Sequence, residues 1–312
     1  MSGQRAVFPP PPDTARLTYV WAAPLVALGF VALIQLPVLL IVFVGIAAGG
    51  VLTGGEATPD LMFWPLAAGI AVGFGFLILV TVFWLRGFER RSVRTAGWTG
   101  PNSFGRYVRG VAAGLMIAAV MIGVDAAMAP DEAGALLEGL SLMAGSPGWL
   151  VILAALAVMF AIQSGAEEFT FRGWMLSAIA ARRGAAMAII ISSITFALAH
   201  VHYVLLAPMA GLVAIAGVGF VGTAFAFYAI REGSVIGVAG AHAAYNFSLV
   251  VAVIAGLAAR SEGGNPAAVS VEAFMEATQV EAFEPSMAIS AGLLALIALG
   301  IALIGRRKAP AG

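Results

Sequence analysis

Gln163 to Arg172 reads Gln-Ser-Gly-Ala-Glu-Glu-Phe-Thr-Phe-Arg, which sets two adjacent carboxylates and a guanidinium into strongly apolar sequence. The segment before it, Trp149 to Ile162, carries no charge. An ionisable group near the middle of a bilayer costs about 2.5 kcal/mol or more on insertion scales, so acids placed there point to a functional site. The three histidines of the chain, His200, His202 and His242, all follow in or at the edge of later apolar runs, and none lies in a tail or long loop. Carboxylates and imidazoles that meet in a low-dielectric cavity can take a proton from water and stabilise an oxyanion, which is the chemistry of acyl-bond hydrolysis.

Helical spacing gives the acids different tasks. Glu168 and Arg172 stand at i and i+4 with the acid N-terminal, the better orientation for a helical ion pair. Glu168 is then a neutralised structural acid. Glu167 lies about 100° round the helix, on a face with Gln163, Ser164 and Phe171 and with no basic partner in its own helix. Desolvation favours its protonated form, which suits a general base working near neutral pH. His200 closes Phe196-Ala-Leu-Ala-His200. From Glu168 to Arg182 is about 21 Å, and from Gly184 to His200 about 24 Å, at the helical rise per residue. A tight hairpin at Arg182-Arg183-Gly184 therefore brings His200 to the depth of the acids on a neighbouring helix. On a continuous helix His200 and His202 would point to opposite sides, so His202, beside Tyr203, is assigned to the interface. His242 and Asn246 share a helix face in Gly240-Ala-His-Ala-Ala-Tyr-Asn-Phe, a stretch of small residues that lets helices approach closely. The plainer alternative is structural: two acids bridged through Arg172, and a His and an Asn bonding between helices.

The elements that must position these groups follow from composition. Apolar residues make up 61% of the 312-residue chain and charged residues 10%, with a mean hydropathy of +1.00, which defines a polytopic membrane protein rather than a soluble domain. The fold class expected is all-α, with about eight transmembrane helices in one bundle, each about 20 apolar residues or longer. They fall at roughly 19–47, 63–85, 108–128, 148–181, 185–202, 204–229, 235–258 and 286–305. Residues 1–16, with a proline run at Pro9 to Pro12, are expected to be a disordered cytoplasmic tail, and 17–308 the transmembrane domain. Zero cysteines exclude disulfides, thiolate catalysis and cysteine metal sites. No basic face points to nucleic acid. The chain has no Gly-x-Ser-x-Gly and no His-Glu-x-x-His motif.

Lys and Arg set the expected orientation. With the N-terminus inside, Arg5, Arg16, Arg86, Arg90, Arg91, Arg94, Arg106, Arg109, Arg182, Arg183, Arg231, Arg306, Arg307 and Lys308 are cytoplasmic, and Arg260 alone is outside. Both termini are thus cytoplasmic in a multi-pass protein of the cell membrane. The basic loop Arg86 to Arg109, with Trp98 and Phe104, reads as a topology anchor, with a lid or substrate-receiving surface as the sharper alternative. The acidic outer segment Arg260 to Pro285 reads as a connector.

Three short motifs in separate helices, Glu167-Glu168-Phe-Thr-Phe-Arg172, Phe196-Ala-Leu-Ala-His200 and His242-Ala-Ala-Tyr-Asn246, resemble the CPBP intramembrane proteases, the CAAX prenyl proteases and bacteriocin-processing enzymes also called the Abi family. The resemblance covers about 148–250. It implies an intramembrane endopeptidase acting on membrane-associated or C-terminal CAAX-like peptides, with prenylated substrates among them. Glu167 with His200 would activate water, His242 and Asn246 would stabilise the oxyanion, and Glu168, Arg172 and Phe196 would support the site. The family is described both as metal-dependent and as a metal-free glutamate type. The metal-free version is favoured because a neutral Asn is a poor zinc ligand; a zinc ion would have to draw on Glu167, His200 and His242. Two other classes remain, a proton-coupled transporter and a non-catalytic immunity or scaffold protein. No pseudo-repeat or matched pair of broken helices supports the first of these.

Overall fold

The computed structural model describes residues 7–52, 59–206, 208–261 and 285–305. Within them the chain is helical and has no strand: α1 (Ala22–Leu52), α2 (Pro59–Phe83), α3 (Ser103–Met128), α4 (Pro130–Ala144), α5 (Pro147–Glu167), α6 (Leu176–Leu198), α7 (His202–Leu206), α8 (Pro208–Glu232), α9 (Ile236–Arg260) and α10 (Pro285–Gly305). A π-helical turn, Trp84–Phe88, ends α2, and a second π segment, Glu168–Met175, joins α5 to α6. Residues 1–6, 262–284 and 306–312, which hold parts of the expected tails and the acidic connector, lie outside the described residues.

The fold is that of a polytopic all-α membrane protein. Six helices among the described residues are long and apolar enough to cross a bilayer. The eight segments expected from the sequence relate to these simply. The 52-residue stretch Pro147–Leu198 contains two of them, and its chain turns back at Gly184, whose backbone (φ +80°, ψ 167°) is non-helical. That conformation favours glycine, the only residue without a Cβ to clash. Segment 286–305 is helical as α10, with an apolar part at Ile289–Ile301 that is shorter than the other six. One element had no counterpart in the sequence reading. The connection holding Asp131, Glu132 and Glu138 is a helix, α4, begun by Pro130 in its first turn, with acids beside its positive end. Its Gly139 lies against the backbone of Ala255 in α9, and Arg260 pairs with Glu132.

Small residues lock α9 in place. Gly110 and Gly114 of α3 face the backbones of Gly237 and Ala241, and Gly240 faces that of Tyr107, so a side chain at any of these positions would drive the two helices apart. Without a hydrophobic driving force between helices in lipid, such close backbone approach supplies the packing.

The basic loop is far more than an anchor. Glu89 and Arg91 are buried, at 0% and 4% exposure. Arg91 Nε donates to Glu89 Oε2 at 2.5 Å, its Nη1 to Ser177 Oγ at 2.9 Å and the Thr95 carbonyl at 3.1 Å, and its Nη2 to the Trp174 carbonyl at 3.1 Å. Burial pushes the Arg91 guanidinium down from its ordinary value, and Glu89 opposes that shift. Glu89 also accepts from the amide and hydroxyl of Thr18, at 2.8 and 2.5 Å. The described part of the N-terminal segment is held to the bundle as well: Phe8 is 5% exposed within the core, and the Arg16 amide donates to the Glu89 carbonyl at 2.9 Å.

From there the loop runs back along the acid-bearing helix. Arg91 meets Ser177, Ala96 lies against Gly173, and Trp98 packs on Phe169 (5.1 Å between centroids) and beside Gly165. Removing one partner of a buried ion pair costs about 3–5 kcal/mol. Glu89→Ala is therefore expected to lower the melting temperature sharply, and an unchanged melting curve would show that the pair contributes no net stability.

Candidate active site

The acid pair sits where α5 changes winding. Glu167 is the last residue of α5 and Glu168 the first of the π segment. π turns inside longer helices are frequent at functional sites, and their wider winding re-aims side chains. Glu167 is 7% exposed, and Glu168 and Arg172 are fully buried. The expected i,i+4 pair forms, with Arg172 Nη1 donating to Glu168 Oε1 at 3.0 Å. Arg172 Nε and Nη2 find no hydrogen-bond acceptor. The guanidinium instead lies 3.9 Å from the Phe196 ring centroid and 6.0 Å from that of Phe225, and cation–π attraction replaces part of the missing solvation. Gly222 of α8 makes room for it: a Cβ there would stand 2.9 Å from Arg172 Nη2 and 3.3 Å from Phe196.

His242 of α9, 4% exposed, lies between the two acids. Its Nδ1 is 2.8 Å from Glu168 Oε1 and its Nε2 3.6 Å from Glu167 Oε2. A carboxylate accepts, so the Nδ1 proton is committed to Glu168, and Nε2 is the atom that faces Glu167. Glu167 Oε2 and the second oxygen of Glu168 are buried and make no hydrogen bond among the described residues. A buried carboxylate oxygen left unpartnered is unusual and calls for an explanation.

Asn246, one turn on from His242, donates through Nδ2 to Gln163 Oε1 at 3.2 Å, and Gln163 also accepts from Ser164 at 3.3 Å. Gln163 is the residue whose part sequence reasoning missed; it ties Asn246 to the helix of the acids, and the only signal for it was that it shares the Glu167 face.

His200 arrives differently from the expectation of a continuous helix. α6 ends at Leu198, residues 199–201 form a turn, and α7 begins at His202. His200 and His202 therefore do not point to opposite sides of one helix, and their ring centroids are 6.1 Å apart. His200 Nδ1 is 2.9 Å from the Phe196 carbonyl. A carbonyl only accepts, so Nδ1 carries a proton, and the neutral form of the ring presents its lone pair at Nε2. The ring is flanked by Phe196 at 4.9 Å and stacked on Tyr203 at 6.2 Å. Phe196 in turn meets His242 edge-on at 5.9 Å, so one phenyl ring touches both imidazoles and the Arg172 guanidinium.

Among the described residues no hydrogen bond or ion pair joins His200 to either acid. Burial first, and then the Glu167 charge, push the phenol of Tyr203, whose ring stacks on His200, up from its ordinary value. His202 is exposed, and burial of part of its ring first, then the neighbouring His200, push its imidazole down from the ordinary value.

A resident metal ion would have to draw on Glu167, His200 and His242. Glu167 and His242 approach each other, but among the described residues no group of three or more His, Asp or Glu side chains is placed to hold one. His242 Nδ1 is occupied by Glu168, and His200 Nδ1 by the Phe196 carbonyl.

An all-α membrane bundle thus buries two acids, an arginine and an imidazole around a π turn, with the half-buried amides of Asn246 and Gln163 beside them. Residues 147–248 match the family described as Type II CAAX prenyl endopeptidase Rce1-like. The resemblance carried by the three motifs is thus borne out over that stretch, which is similar to the CAAX proteases of the CPBP group. At the level of the family this supports an intramembrane endopeptidase. Comparison with curated proteins and with solved structures gave no match.

Proposed function

We propose that the chain hydrolyses peptide bonds of membrane-associated or C-terminal, CAAX-like substrates, prenylated ones included, with a water activated by Glu167 and His200. The observation that carries this reading is the buried Glu167 Oε2, without a hydrogen bond among the described residues, facing a His242 whose ring is fixed from behind by Glu168, itself fixed by Arg172. Such a relay holds the imidazole in one orientation, with Nδ1–H on Glu168, the pre-organisation that catalysis by general bases and oxyanion donors requires.

The attacking water gives a proton to Glu167, with the Nε2 lone pair of His200 as the second acceptor facing the site. The hydroxide adds to the carbonyl carbon, and the oxyanion is met by the second Nδ2 hydrogen of Asn246, the first being held by Gln163, and by His242, which donates from Nε2 when both ring nitrogens carry a proton, Nδ1–H staying on Glu168. Collapse of the tetrahedral intermediate breaks the C–N bond, and the proton held by Glu167 passes to the leaving amine. Glu168 and Arg172 keep charge balanced behind His242, and Phe196 packs the imidazoles in place. No step is routed through a metal.

The distribution of Lys and Arg supports a cell-membrane protein with cytoplasmic termini, and the Trp98 loop, packed along the acid helix, lies on the side from which a cytoplasmic substrate would arrive.

Purified protein in detergent or liposomes, dialysed against a strong chelator, is expected to cleave a labelled peptide ending in a CAAX-like sequence, and Glu167→Gln protein to leave it intact. Loss of cleavage on chelation with recovery on adding zinc would contradict the metal-free part of this reading. Equal cleavage by the Glu167→Gln variant would contradict all of it.

A further inference from the structure

At the end of α2 a cleft of about 520 Å³ is lined by Pro12, Arg86, Arg90, Arg91 and Ser92. Arg91 adds no free charge there, since Glu89 neutralises it and its donors are spent on Thr95, Ser177 and Trp174. Arg86 and Arg90 are exposed, and among the described residues neither pairs with an acid. Asp13 follows Pro12 in sequence but does not line the cleft.

The backbone at Arg90 is a second, independent sign. Its φ is +54°, in the left-handed region where a helix end ordinarily carries Gly or Asn. The helix closes round it through the Glu89 amide to the Trp84 carbonyl and the Arg91 amide to the Leu85 carbonyl, both at 2.9 Å. Glycine would adopt this turn without strain, so an arginine there keeps a guanidinium on the cleft at a conformational cost. Strain of this kind persists where a ligand uses the residue.

Two unshared guanidinium forks around one cleft match the oxygens of a phosphate group. The surroundings say which phosphate. Phe83 is 76% and Phe88 49% exposed on the same turn, and Tyr19 and Trp21 at the start of α1 are 62% and 72% exposed. Exposed aromatics at the ends of spanning helices mark the level of the lipid headgroups, and basic pockets at that level recognise anionic lipids. We propose that this cleft binds the phosphate of an anionic phospholipid through Arg86 and Arg90, its acyl chains lying along the apolar face at Phe83. This inference stands apart from the endopeptidase reading and uses none of its residues.

Native mass spectrometry and thermal melting of the full chain in phosphatidylglycerol and in phosphatidylcholine nanodiscs test it, with inorganic phosphate added to the phosphatidylcholine sample as the free-anion arm. Wild-type protein is expected to retain phosphatidylglycerol and to melt higher in it, and Arg86→Gln/Arg90→Gln to bind it about tenfold more weakly, the loss typical of a charge-assisted contact. Arg90→Gly should melt higher than wild type in phosphatidylcholine, because the strain is relieved, yet lose most of the phosphatidylglycerol shift. Equal retention by the wild type and both variants would overturn the site. Full stabilisation by inorganic phosphate alone would overturn the lipid as its source.

Discussion

Glu167→Gln and His200→Ala should each reduce peptide cleavage by about 10²–10⁴-fold, the usual worth of a positioned general acid–base group, while the purified proteins keep the wild-type melting temperature. The stability half of this expectation follows from the geometry. Among the described residues Glu167 Oε2 makes no hydrogen bond, and its nearest charged partner, His242 Nε2, is 3.6 Å away, so an amide of the same shape removes the base and little else. His200 is half-buried at a turn and bonds only to the Phe196 carbonyl in its own segment, so its truncation leaves no buried charge behind. Turnover of both variants within a factor of a few of wild type would remove the assigned roles.

The second large effect is on folding rather than turnover. Arg172→Ala leaves Glu168, fully buried and bonded to His242, without its cation. Breaking a buried pair from one side costs about 3–5 kcal/mol, and Phe196 loses the guanidinium that covers its face. Low expression and a markedly lower melting temperature are expected. Arg172→Lys should recover only part of the loss, because an ammonium lacks the planar fork and stacks less well on the ring. A well-expressed Arg172→Ala protein of normal melting temperature would show that Glu168 is neutralised by His242 alone.

Much of this arrangement could be read from the residues because the reasons were local. The Glu168–Arg172 pair is a spacing, the hairpin at Gly184 is a glycine with positive φ next to two arginines, and the approach of α9 is written in its small residues. What escaped was set by context. An i,i+4 ion pair fits an α helix as well as the π segment observed, so nothing in Glu168–Met175 announced the change in winding. Ala199-His200-Val201 carries no Gly or Pro, so the turn that separates the two histidines had no signal. Glu89 and Arg91 look like any charges of a basic loop, and only the partners that Thr18, Ser177 and the Trp174 carbonyl provide turn them into a buried network. Gln163 bonds across to Asn246 from 83 positions away, a contact that no spacing rule encodes.

The most direct test is to place purified wild-type and Glu167→Gln protein in liposomes with a membrane-anchored CAAX-type reporter peptide, and to follow its products by mass spectrometry and proton flux in the same vesicles. The expected result is one internal cut made by the wild type, absent with Glu167→Gln, and no flux. An intact reporter together with Glu167-dependent proton flux would contradict the endopeptidase assignment.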